Sequence, residues 1–145
     1  LHAALQAGPV DALQSRYNML QREVEAQVLP LCAANGISFI PWGPLAFGLL
    51  GGKYAADFVL PADDWRHRSG VFDAQSFAAN VAKVDALKQV TTSSLPHVAM
   101  QWLLHQQTIA SVIAGAKTVA QIEHNAGADN LSVTPLEIGQ LDACV

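Results

Sequence analysis

Apolar positions along the chain change period several times, and each change marks an element. Leu1-His2-Ala3-Ala4-Leu5-Gln6-Ala7 reads as the tail of a helix, stopped by Gly8 and Pro9. Val10 to Gln14 is a short run that predicts a buried strand with Gln14 at its C-terminal end. Leu20 to Asn35 reads as a helix: Val24, Val28, Leu31 and Cys32 share one face at the helical period. Glu23 and Glu25 suit its N-terminal half, and Asn35-Gly36 is a C-cap signal. Ile37-Ser38-Phe39-Ile40-Pro41-Trp42 is the clearest strand, short, apolar and rich in β-branched and aromatic residues. Ala74 to Gln89 predicts a helix packing Phe77, Val81, Val84 and Leu87. Ser94 to Gln107 predicts another, with Pro96 near its start and Val98, Leu103 and Leu104 available for packing. Ile109 to Gly115 predicts a third strand. Thr118 would cap a helix running to Asn125 or Asp129, and Thr134-Pro135-Leu136-Glu137 opens the last helix with a capping box.

Three strands, each followed by helix, predict a parallel α/β sheet, here in a single unit over residues 1–145. Composition narrows the function classes. With 51% apolar and 14% charged residues the chain is globular, not disordered. A net charge of −4 argues against general nucleic-acid binding but leaves room for an anionic small molecule held by two or three cations. Cys32 and Cys144 lie far apart and form no CxxC, so neither zinc nor a disulfide framework is expected, and a reducing cytoplasm is the default. No apolar run approaches a membrane span. The chain starts inside a helix without Met, which predicts a fragment or a truncated gene.

The candidate chemistry sits at strand ends. Gly48-Leu49-Leu50-Gly51-Gly52-Lys53-Tyr54 invites a phosphate-loop reading but fails it: Phe47 stands where GxxxxGK needs Gly, and Tyr54 where a metal-binding hydroxyl is needed. What remains is either a plain turn or a flexible backbone that lets main-chain N–H groups approach a phosphate. Ile113-Ala114-Gly115-Ala116-Lys117-Thr118 is a strand end, a glycine and a helix start with a lysine. Either Lys117 adds charge to an anion site at the helix N-terminus, or it is solvated and Thr118 merely caps. Trp42 is either a core aromatic or, at the open end of its strand, a platform for a flat ring. Asp63 and Asp64 read as a solvated turn. The five histidines are scattered with no ligand spacing, which argues against a metal, and there is no GxSxG.

Taken together, Gln14-Ser15-Arg16-Tyr17-Asn18, Trp42 through Tyr54, Asp63-Asp64-Trp65-Arg66, and Ile113-Ala114-Gly115-Ala116-Lys117 with Gln121 and Asn125 resemble the aldo-keto reductases, particularly the bacterial group similar to potassium-channel β-subunits. The similarity runs in order along essentially the whole chain. It implies a partial (β/α)8 TIM barrel, the last three βα units plus a C-terminal helix, and NADP(H) as cofactor with a small-molecule carbonyl substrate. On that resemblance Gln14 would bond the nicotinamide carboxamide and Trp42 would stack on its ring. Gly43, Pro44, Leu45 and Gly48 would line the pyrophosphate, with Lys53 and Arg66 folding over it. Gly115, Lys117 and Gln121 would hold the adenosine 2′-phosphate, and Asn125 the adenine. Three positions depart from the family pattern: Gly43 for Ser, Ala114 for Pro and His124 for Glu.

The family's Asp, Tyr, Lys and His tetrad belongs to earlier strands, and no segment here matches it. Neither Tyr17 nor Tyr54 is assigned as proton donor, so the chain alone is expected to be inactive. A barrel cut in half exposes sheet edges and an apolar face, which predicts a homo-oligomer, most simply a dimer. Three functions stay open. The chain is part of an NADP-dependent carbonyl reductase, a catalytically silent nucleotide-binding module, or a structural half-barrel that binds nothing. The first requires the tetrad upstream, the second a start codon just before Leu1, the third no ligand at all.

Overall fold

The computed structural model describes residues 1–145. Helix α1, His2–Ala7, is the helix expected at the start, and the Gly8 N–H closes it on the Ala4 carbonyl at 3.2 Å. Strand β1, Ala12–Arg16, and strand β2, Ser38–Trp42, pair in parallel, with Gln14 beside Ile40 and Arg16 beside Trp42. The strand lies two residues later than the apolar run Val10–Gln14 suggests, so Gln14 sits mid-strand and Arg16 ends it. Pairing sets these limits: Ser38 N–H donates to Asp11 at 3.0 Å, and Tyr17 N–H to Trp42 at 3.4 Å.

The long helix expected over Leu20–Asn35 is two pieces, a 3-10 turn at Glu23–Glu25 and helix α2, Val28–Ala34. Pro30 explains the break. In the first turn of α2 its missing N–H is harmless, whereas a helix from Leu20 would bury that gap in its interior. Gly36, at φ +65°, reverses the chain after α2.

The expected third strand, Ile109–Gly115, is not a continuous strand. It meets β2 at two single bridges, Phe39 with Ile109 and Trp42 with Ile113. The reason is Pro41. On this edge Phe39 N–H donates to the Thr108 carbonyl at 2.8 Å and the Pro41 carbonyl accepts from Ile113 at 3.0 Å. The donor needed between them would be the N–H that Pro41 lacks.

Helices α3 (Phe77–Val90), α4 (Leu95–Leu104), α5 (Val119–Ala126) and α6 (Pro135–Asp142) complete the chain. Helix α3 buries Val81, Val84 and Leu87 as its period predicts, while Phe77 is half-buried and stacks on Phe72 at 5.5 Å. Helix α4 buries Val98 and Leu103, but Leu104, at the last turn, is exposed. Thr118 caps α5, and Thr134 with Glu137 forms the capping box of α6.

The core lies on the face of β2 that carries Phe39. Trp102 of α4 packs 5.3 Å from Tyr17, whose ring meets Phe39 edge-on at 6.2 Å. Side chains alternate across a strand, so Gln14, Arg16, Ile40 and Trp42 share the opposite, more open face. Beyond β1 there is no further strand. No helix is long and apolar enough to cross a membrane.

Candidate functional site

The C-terminal ends of the strands carry most of the residues singled out in the sequence. Trp42 closes β2 with 36% of its surface exposed, unusual for a large aromatic at a strand end. Gly43 follows at φ +69°, and a side chain there would meet nothing within 4 Å. Pro44 is buried, and the chain then passes through three successive left-handed residues, Ala46 (φ 47°), Phe47 (φ 57°) and Gly48 (φ 98°). For alanine and phenylalanine that conformation costs on the order of 1–2 kcal/mol each. It is held by Ala46 N–H on Gly43 (3.0 Å), Gly48 N–H and Leu50 N–H on Leu45 (2.9 and 3.1 Å), and by burial of Ala46, Leu49 and Leu50. The turn carries Phe47 to Trp42, 6.2 Å between rings, and to the edge of Trp65 at 5.1 Å. Lys53 is exposed beyond Gly52.

The excursion after this loop returns as a 3-10 turn, Trp65–Arg68. Asp64 caps it, accepting from Arg66 N–H at 2.9 Å and from the guanidinium at 3.0 Å (Nε) and 2.6 Å (Nη2). Arg66 Nη1 donates to the Tyr54 hydroxyl at 2.7 Å, and the group lies 5.1 Å over the Phe72 ring. The Arg66 hydrogen bonds bring the Asp64 carboxyl down to about 2. Arg66 is raised by the same contact. Asp64 is thus the anchor of Arg66 rather than a solvated turn residue, whereas Asp63 is exposed. Tyr54 joins the group from beside Gly48: a Cβ on Gly48 would lie 3.8 Å from its hydroxyl.

The third group forms around the start of α5. Thr118 Oγ1 accepts from Gln121 N–H at 3.2 Å, while Gln121 Oε1 accepts from Lys117 N–H at 2.7 Å. Asn125 Nδ2, one turn on, donates to the Gly115 carbonyl at 3.3 Å. Gln121 and Asn125 thus share a helix face directed at the incoming segment, with the Lys117 residue exposed beside them. The Trp42–Ile113 bridge sets this segment against β2, two residues before Gly115. His124 turns to α4 instead: its Nε2 meets Ser94 Oγ at 3.0 Å and its ring stacks on His97 at 4.3 Å.

Sequence reasoning gives no role to Asn18, Gln21 or Ser69, yet these and Asn80 are the buried polar residues. Only their position in a loop near strand ends could have drawn notice. A cleft of about 430 Å³ lies at the other end of the strands, between Cys32, Gly36, Ser38 and Thr108, with no charged side chain in it. No group of three or more His, Cys, Asp or Glu could hold a metal ion.

Residues 4–145 match the Aldo/keto reductase family. The chain belongs to that family. It is 31% identical over 134 residues to the NADH-specific methylglyoxal reductase of Escherichia coli K12, covering 90% of this chain and 40% of the relative. It is 34% identical over 136 residues to a probable voltage-gated potassium channel subunit beta of Oryza sativa subsp. japonica, covering 89% of this chain and 40% of that protein. The solved glycerol dehydrogenase of Gluconobacter oxydans superposes with a TM-score of 0.85 at 24% identity, over 97% of this chain and 43% of that one. The aldo-keto reductase chain therefore spans about 40% of the length of these curated relatives. Its fold is a piece of a (β/α)8 barrel with two paired strands and a third segment attached by bridges.

Proposed function

We propose that this chain is the NADP(H)-binding part of an aldo-keto reductase that reduces a small-molecule carbonyl. The observation that carries this reading is Trp42: a half-open indole at a parallel strand end, followed by a left-handed glycine with free space beside it. That is what a flat ring joined to a phosphate needs from a protein wall.

The other residues suit the remaining parts of the same molecule. Gln14 shares the open face with Trp42 and offers a carboxamide to the nicotinamide amide. Gly43, Pro44, Leu45 and Gly48 form a backbone wall for the pyrophosphate, and Lys53 and Arg66 supply cations. Gly115 and Lys117, at the start of α5, suit a 2′-phosphate through the helix dipole and the Lys117 ammonium. Gln121 and Asn125, now closed on Lys117 and Gly115, can turn outward to ribose phosphate and adenine. When bound, NADPH supplies the hydride. What the chain contributes is orientation of the ring against Trp42 and charge to hold the phosphates. We assign no residue at the strand ends as proton donor to the carbonyl, and on this reading the chain alone is expected to be inactive.

One relative's name says it is NADH-specific, so cofactor choice varies among similar proteins. Lys117 argues for the phosphorylated form here. Titrating the chain with NADPH and NADH while following tryptophan fluorescence tests the reading. Saturable quenching, weaker with NADH, is expected. No response at millimolar cofactor would leave a structural half-barrel as the better account.

Self-association belongs to the same proposal. The outer edge of β1 is unpaired, and an open edge beside a half-buried face recruits a partner strand. Sedimentation velocity is expected to show a dimer, and a monodisperse monomer with a native-like cooperative melt would overturn this. The free cysteines, Cys32 and Cys144, suit a reducing cytoplasm.

A further inference from the structure

Three of the four buried polar side chains, Asn18, Gln21 and Ser69, belong to one hydrogen-bonded chain. Asn18 Nδ2 donates to the Gly43 carbonyl at 3.0 Å and to Gln21 Oε1 at 3.1 Å. Gln21 Nε2 donates to the Ser69 carbonyl at 2.9 Å, and Ser69 Oγ donates to the Arg66 carbonyl at 2.6 Å. Asn18 Oδ1 is taken by Leu20 N–H at 3.0 Å, and the Asn18 and Gln21 backbones bond each other at 3.0 and 3.3 Å. Arg16, at the end of β1, adds a second donor to the Ser69 carbonyl at 3.3 Å.

These bonds form one chain from residue 43 to residue 66. Its ends are the two surfaces assigned to the pyrophosphate: the loop that begins at Gly43 and the turn that carries Arg66. Both terminal groups are carbonyls, which can only accept. The bridge between them must therefore donate at both ends, and two primary amides in series meet that demand. An apolar pair of the same shape would leave Gly43 with Ala46 N–H and Ser69 with Arg16 as donors, but would break the bond that ties one carbonyl to the other.

We infer that Asn18 and Gln21 are positioning residues that fix the separation of the two walls of the nucleotide cleft. The inference rests on the cofactor reading above. The amides do not touch the nucleotide. They tie the Gly43 loop to the turn that carries Arg66, leaving the adenosine end at Lys117 independent of them.

Calorimetry of the 145-residue chain with two probes tests this. NADPH spans the walls, while adenosine 2′-monophosphate has no pyrophosphate and engages only the end near Lys117. Gln21→Met, similar in size and without donors, is expected to weaken NADPH at least tenfold and adenosine 2′-monophosphate less than twofold. Should Gln21→Met fail to melt cooperatively, Ser69→Ala carries the same test, with NADPH weakened about threefold and the smaller probe unchanged. Wild-type binding with NADPH unaffected in the variant, or equal losses for both probes, overturns the positioning role and leaves the cofactor reading standing. A wild-type chain that binds adenosine 2′-monophosphate but not NADPH overturns the cofactor reading, and the positioning role with it. A wild-type chain that binds neither overturns the cofactor reading, and the positioning role with it.

Discussion

Asp64 holds Arg66 in a two-pronged ion pair, Nε to Oδ1 at 3.0 Å and Nη2 to Oδ2 at 2.6 Å, while capping the turn that carries it. A paired geometry of this kind fixes direction as well as charge. The Asp64 carboxyl lies at about 2 in the fold, against about 3.9 for an unstructured aspartate. Its folded value is the lower one, so it adds stability above about pH 4 and loses it as pH falls toward about 2. The turn should therefore loosen over that window. Trp65, exposed beside Arg66, reports it: an acid transition in its emission is expected in wild type and should be absent from Asp64→Asn. An unchanged transition in that variant would show that another carboxyl drives it.

Thr118→Ala tests the start of α5. The hydroxyl accepts from Gln121 N–H at 3.2 Å, and loss of such a cap lowers stability by about 1 kcal/mol. Gln121 also holds the Lys117 N–H through its side chain, so the local effect should exceed the global one. Hydrogen exchange is expected to quicken at Lys117 through Ile122 more than at α4. Uniform quickening across the chain would count against a local cap.

Much of this fold is legible in the sequence, because its signals are local. The apolar β2 run, the Thr134 capping box and the Thr118 cap each depend on residues close together in the chain. What fails to show depends on partners far along the chain. The limits of β1 are set by pairing with β2, not by its own hydrophobicity. The third segment is kept from forming a strand by Pro41, on another element. In the site, Trp42, Gly43 and Lys117 announce themselves by type and place. Asn18 and Gln21 do not, since their importance lies in reaching carbonyls 25 and 48 residues away. Arg66 is visible as a cation, but its commitment to Asp64 and Tyr54 appears only once the excursion is folded back.

The two cysteines should differ sharply toward a thiol reagent. Cys32 is fully buried, and burial pushes its thiol above the ordinary range. Since the thiolate is the reacting form, both access and charge disfavour it. Cys144 is half-buried near the C-terminus, its thiol donating to the Gln140 carbonyl at 3.3 Å. With an aromatic disulfide reagent, one thiol is expected to react promptly in native protein and the second only when denaturant is added. Prompt reaction of both would mean that α2 opens readily.

Asp142 closes the end of α6 onto the core. Its Oδ1 accepts from Arg22 Nη1 at 2.8 Å and from the Trp102 indole at 3.1 Å. Arg22 in turn bonds Glu25 at 2.7 Å, and Glu25 accepts the Tyr17 hydroxyl at 2.6 Å. The network thus joins the β1–α2 connection to α4 and α6. The Arg22 pair is partly exposed and contributes little by itself. The indole N–H is different, because Trp102 is fully buried and has no water to turn to. Asp142→Ala should therefore lower stability by about 1–3 kcal/mol, mostly from the orphaned donor. Asp85→Ala, which removes the exposed partner of Lys88, should cost under about 0.5 kcal/mol. Urea unfolding of both variants measures the contrast. Asn at 142 keeps an acceptor for the indole while removing the charge, so Asp142→Asn should recover most of the loss. If it unfolds as readily as Asp142→Ala, the ion pair rather than the indole bond holds α6 in place.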